Sequence, residues 1–253
     1  MTLPLPVPTL SLVLAAGFTG GFVDAIAGGG GLVVLPALLA AGIPPLLAAG
    51  TNKAAASFGS GIATLRYSRG GHILPLTRWM LPLAFLASAG GALWATHQAA
   101  SVFRMVILAA LAMVALFVLL QPGYGAMDRT VPARRVRGLR GAMMAMGIGF
   151  YDGAIGPGTG SFLAFGFVNG IGANLLTATG SAKAVNFATN VAALIVFGVR
   201  GKILWPLAIP LGMAILAGSY VGSGIAMRGG AKTIRIVLVV VVLATVCKLI
   251  LRP

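Results

Sequence analysis

Residues 101–121, SVFRMVILAALAMVALFVLLQ, make an apolar run of the length that a helix needs to cross a bilayer, and residues 232–252, KTIRIVLVVVVLATVCKLILR, make another. No soluble domain fits between them. Charged residues are 8% of the chain and hydrophobic residues 58%, whereas soluble domains carry roughly 25% charged residues. The 37 glycines would weaken soluble helices, but inside a membrane glycine lets helix backbones approach closely. The fold class is therefore an all-α polytopic membrane protein embedded in a lipid bilayer.

The net charge of +15 does not indicate a nucleic-acid partner, because Lys and Arg fall in the short connections and not on one amphipathic face. The positive-inside rule accounts for them better. Residues 121–140 carry Arg129, Arg134, Arg135, Arg137 and Arg140, so 122–139 is expected to be a basic cytoplasmic linker in a multi-pass inner-membrane protein. Residues 1–45 contain no Lys or Arg and tolerate the outside; without a basic n-region they do not read as a cleaved signal peptide. Cys247 stands alone in an apolar run, so no disulfide or thiolate metal cluster is available, and His72 and His97 read as interfacial side chains.

The chain looks duplicated. GFVDAIAGGGGLVVLP, residues 21–36, aligns with GFYDGAIGPGTGSFLA, residues 149–164, which matches Asp24 to Asp152 at an offset of 152 minus 24, or 128. AAGTNKAAASF, residues 48–58, then aligns with ATGSAKAVNFA, residues 178–188, matching Lys53 to Lys183 at an offset of 130. GGHILP, 70–75, parallels RGKILW, 200–205, and a small insertion falls around the IGAN of 171–174. Repeat one spans 1–121 and repeat two 140–253. Each has an apolar segment (10–27; 140–155), a glycine break and a short apolar piece (32–41; 161–170). Three longer segments follow, at 46–67, 75–97 and 101–121 in the first repeat and 175–198, 203–226 and 232–252 in the second.

If the first two pieces of each half form a re-entrant hairpin, or if both cross, the repeats are inverted; if only one crosses, they are parallel. The inverted arrangement puts Arg228, Lys232 and Arg235 inside and Arg200 and Lys202 outside. The parallel arrangement swaps them, so one charge separates the two. Inversion is the expectation, since inverted repeats with broken helices are a recurrent transporter plan.

Backbone groups freed by GGGG (28–31) and GPGTG (156–160) cannot face lipid and must line protein or water. The short piece after each break opens with free N–H groups that suit an anion, offered by Gly29, Gly30 and Gly31 in one repeat and Gly158, Thr159, Gly160 and Ser161 in the other. Asp24 and Asp152 sit one turn before the carbonyl end of the preceding segment, where a cation, a proton or a lysine must compensate them. A lone charge at mid-bilayer costs about 2.5–3.5 kcal/mol, so Asp24, Lys53, Asp152 and Lys183 are expected to have partners. One reading is two structural ion pairs within the repeats, Asp24 with Lys53 and Asp152 with Lys183. The other has both lysines facing a cavity and neutralising an anion while an aspartate takes a proton. Asn52, Asn186 and Asn190 are candidate hydrogen-bond donors to that anion, and interhelical hydrogen bonding is their simpler role.

These residues resemble the sulfite exporter TauE/SafE family of membrane proteins, also called TSUP. The resemblance lies in the glycine-rich break near the start, G-T-N-K at 50–53, the basic turn RYSRGGHI at 66–73, and the YDG and GPGTGSF pattern that opens the second half. FYDGAIGPGTGSF looks most like the YfcA-like branch. The resemblance implies a transporter of small sulfur-containing anions, such as sulfite or organosulfonates, exporting them by coupling to the proton gradient.

Other classes weigh less. Asp24 and Asp152 evoke intramembrane aspartyl proteases, but the G-x-G-D around the second acid is missing and no catalytic residue is assigned. A passive anion channel would share the same anion-attracting breaks. No cofactor motif is present, since neither glycine run continues into the Gly-Lys-Ser/Thr of a P-loop. Gly- and Ala-rich faces suit a homodimer.

Overall fold

The computed structural model describes residues 5–119 and 133–251; the side chains of 115, 118, 119, 134, 135 and 231–251 lie outside the described residues, those of Arg134, Arg135, Lys232, Arg235 and Cys247 included, as does Arg129. The described residues are helical, without strands. The helices are α1 (Val7–Ala27), α2 (Gly31–Ala40), α3 (Pro45–Arg69), α4 (Thr77–Thr96), α5 (Ala100–Leu119), α6 (Arg134–Ala154), α7 (Thr159–Gly166), α8 (Leu175–Val199) and α9 (Trp205–Leu251). Among them four are long and apolar enough to cross a membrane: α1, α4, α8 and the Trp205–Gly230 part of α9.

Local chemistry sets the helix ends. α3 starts at Pro45, where a missing N–H costs nothing, and α8 is capped by Asn174, whose side chain accepts from Thr177 N–H at 2.9 Å. The IGAN insertion thus supplies a helix start. The short piece 161–170 is α7 followed by a π-helical turn at Phe167–Ile171. Within the expected linker 122–139, residues from Arg134 onward belong to α6, and residues 122–132 lie outside the described residues. The last two segments adjoin within α9, and Gly230 is non-helical at φ 57, ψ −152 between them.

The two halves interlock. Along α1, Gly17 sits against Leu211 and Gly21 against Ile215 of α9, and along α6, Gly149 sits against Ala84 and Gly153 against Ser88 of α4. Each first helix therefore lies on a helix of the other half and runs in its direction. The central pair α3 and α8 runs the opposite way, with Gly50 near Phe197, Gly61 near Phe187 and Tyr67 near Gly180.

Residues that align between the halves exchange partners. Leu204 N–H donates to Thr51 Oγ1 at 3.0 Å, and Leu74 N–H donates to Ser181 Oγ at 3.0 Å. Gly50 touches the Lys202 carbonyl as Gly180 touches that of His72. Thr51→Val and Ser181→Ala each leave a part-buried N–H without its acceptor, so each is expected to lose about 1–3 kcal/mol. Unfolding in detergent should show losses of similar size for both.

Candidate functional site

α1 stops where Gly28 turns left-handed at φ 80, and its N–H closes on Asp24 O at 2.9 Å. α6 stops at Ala154, and Gly156 (φ 92) and Gly158 (φ 74) carry the chain across Pro157 into α7. These two turns meet. Ser161 Oγ donates to Ala27 O at 2.8 Å, Ser161 N–H donates to Gly28 O at 3.2 Å, and a methyl group added at Gly28 would overlap Gly160.

Four charged side chains surround this crossing, and their pairing corrects the within-repeat expectation. Lys53 Nζ lies 2.6 Å from Asp152 Oδ1, and Lys183 Nζ lies 2.8 Å from Asp24 Oδ2. Each pair joins one half to the other. The physical reason is the interlock: α1 and α6 pack on the opposite half, which carries each aspartate to the other half's lysine.

The helix-start expectation also changes. Gly30 N–H is taken by Asp24 Oδ1 at 3.2 Å, so the α2 start already holds an anion supplied by the chain, and Ser161 N–H is taken by Gly28. Asp24 thus satisfies both a lysine and a helix N-terminus.

The two halves are not equivalent here. Lys53 also donates to Asn190 Oδ1 at 3.2 Å, Asn190 Nδ2 donates to Ser60 Oγ at 3.3 Å, and Asn186 Nδ2 donates to Asp152 Oδ2 at 3.3 Å. At an offset of 130, Asn186 and Asn190 align with Ala56 and Ser60, so both amides of this network come from the second half. Lys183 is fully buried, while the Asp24 side chain keeps 20% exposure.

A cavity of about 30 Å³ lies between the two turns, room for about one water molecule. Its wall includes Asp24, Asn52, Lys53, Asp152, Asn186 and Asn190, with backbone from Gly30, Gly31, Gly158, Thr159 and Gly160. Lys183, Gly29 and Ser161 are absent from that wall: Lys183 lies behind Gly160, and Ser161 is used in the crossing. Sequence reasoning missed Ser60, which accepts from Asn190. Ser60 was legible as the repeat partner of Asn190.

A helical membrane protein with paired charges buried around a cavity between its halves is built as a transporter. The chain is 42% identical over 247 residues to a Sinorhizobium protein named probable membrane transporter protein ORF9, covering 96% of this chain and 93% of that one. It is 38% identical over 235 residues to the probable membrane transporter protein YfcA of Escherichia coli K12 (92% and 86% covered), and 34% identical over 242 residues to a probable membrane transporter protein of Haemophilus influenzae (95% and 94%). Residues 13–249 match the family model for sulfite exporter TauE/SafE. The chain belongs to that family, and the family and these relatives are transporters rather than enzymes. No solved structure matches the chain.

Proposed function

We propose that this chain is a proton-coupled secondary transporter that exports small sulfur-containing anions such as sulfite or organosulfonates across the inner membrane. The anion binds at Lys53, between the two glycine turns, and the repeats are inverted. The observation that carries this reading is the pair of lysine–aspartate bridges that cross between the halves beside one cavity. A charge exchanged at such a bridge changes how the halves are held.

Inversion is supported by the antiparallel course of α3 and α8, which are equivalent helices and adjacent. A two-fold axis in the membrane plane relates neighbours of that kind. Charge distribution agrees. Arg66 and Arg69 at the end of α3, Arg78 at the start of α4, Arg137 and Arg140 in α6, and Arg228 share one end of the molecule, while Arg104, Arg200 and Lys202 lie at the other. The richer end is the cytoplasmic one under the positive-inside rule, which puts the linker inside.

Coupling follows from competition for one ammonium. An anion that takes Lys53 strips Asp152 of its partner, and a carboxylate only 1% exposed is expensive as a lone charge. A proton neutralises it. For a dianion carried with one proton the net charge is −1, and an inside-negative potential drives that charge outward at about 2.3 kcal/mol per 100 mV, less about 1.4 kcal/mol for each pH unit by which the outside is more acidic. The 30 Å³ cavity is too small for an oxyanion, so loading requires the Lys53–Asp152 bridge to open.

Proteoliposomes test this. Sulfite or organosulfonate efflux should respond to an imposed pH difference, and Asp152→Asn should remove the response. Flux in the native protein that ignores pH would eliminate proton coupling; flux that never saturates would point to a channel.

A further inference from the structure

A second cavity, of about 690 Å³, opens where α4 and α6 begin, and it shares no wall residue with the Lys53 cavity. Leu74, Leu76, Trp79 and Ile171 give it apolar walls, and Arg78 and Arg137 give it charge. No acidic side chain lines it among the described residues. Because α4 and α6 run in the same direction, the positive ends of both helix dipoles lie at this end of the molecule.

Two details point to a ligand. Arg137 Nε is buried and has no hydrogen-bond partner among the described residues. Buried donors in native proteins nearly always have one. Trp79, at 78% exposure, is a large ring left open beside that guanidinium. Indole rings favour the level of lipid headgroups, where one side is apolar and the other wet.

The wall chemistry selects the occupant. A free oxyanion has no use for Leu76 and Trp79, and a plain hydrocarbon chain has no use for two guanidinium groups. An acidic phospholipid uses both, and basic pockets between membrane helices are a recurrent way of holding such headgroups. A volume of about 690 Å³ lies within the usual range of ligand pockets, about 300–1,000 Å³. We propose that this cavity is a binding site for an acidic phospholipid, with its phosphate between Arg78 and Arg137 and its acyl chain against Leu76 and Trp79. The site is independent of anion transport at Lys53.

Native mass spectrometry of the full chain in detergent, titrated with phosphatidylglycerol, phosphatidylethanolamine or inorganic phosphate, tests it. Phosphatidylglycerol should be retained in preference to phosphatidylethanolamine, and inorganic phosphate should fail to displace it. Arg78→Gln and Arg137→Gln should each weaken retention about fivefold, while Arg104→Gln at the other end leaves it unchanged. Arg78 is exposed, so that variant folds even if Arg137→Gln does not. Equal retention of the two lipids, equal weakening by Arg78→Gln and Arg104→Gln, or full displacement by phosphate would each overturn the proposal.

Discussion

Lys53→Met is expected to lower the stability of the folded protein by about 3–5 kcal/mol and to abolish anion transport. The variant leaves Asp152 buried with the Asn186 amide as the one remaining donor to its carboxylate among the described residues, and an uncompensated buried charge of this kind is among the most damaging single changes. The double variant Lys53→Met, Asp152→Leu should recover part of the stability, because apolar groups of similar size replace a buried ion pair at little penalty, while Asn186 Nδ2 and Asn190 Oδ1 still lose these partners. It should still not transport. Thermal unfolding in detergent reads the first quantity and flux in proteoliposomes the second. A double variant that is both stable and active would remove Lys53 from the binding site and leave the bridge a purely structural one.

Gly28→Ala is the second large effect, expected at about 2–5 kcal/mol. The residue is left-handed at φ 80, which costs a non-glycine residue about 1–2 kcal/mol, and the added methyl group would overlap the Gly160 backbone, which adds about 1–3 kcal/mol of overpacking. Gly42 provides the control: its φ is also 80, yet nothing lies within 4 Å of the position a methyl group would take. Gly42→Ala should therefore show the backbone part alone. If both variants unfold at the same temperature, the two turns do not press on one another, and the crossing that frames the cavity is looser than described.

Much of the helical layout was legible in the sequence, since glycine and proline punctuate it: Gly28, Pro45 and Gly156 fall at or beside helix ends. The repeat alignment also placed Asp24, Lys53, Asp152 and Lys183 as a set. What it could not supply was the partner of each. Asp24 and Lys53 are close in the chain and share a repeat, so local reasoning pairs them, but which face of α1 meets which neighbour is decided by glycines on α1 and α9, far apart in sequence. The exchange of Thr51 with Leu204 and of Ser181 with Leu74 has the same origin. Nor does the alignment disclose that Asp24 occupies the N–H at the start of α2, because that depends on how tightly the chain turns through Gly28–Gly30.

The crossed bridges also bear on biogenesis. While the ribosome is still making the second half, Asp24 and Lys53 have left it without the lysine and aspartate that will neutralise them, so neither half is electrostatically complete as it is threaded into lipid. Maturation must wait for late docking, and two separately translated half-length polypeptides should complement one another only when made in the same cell.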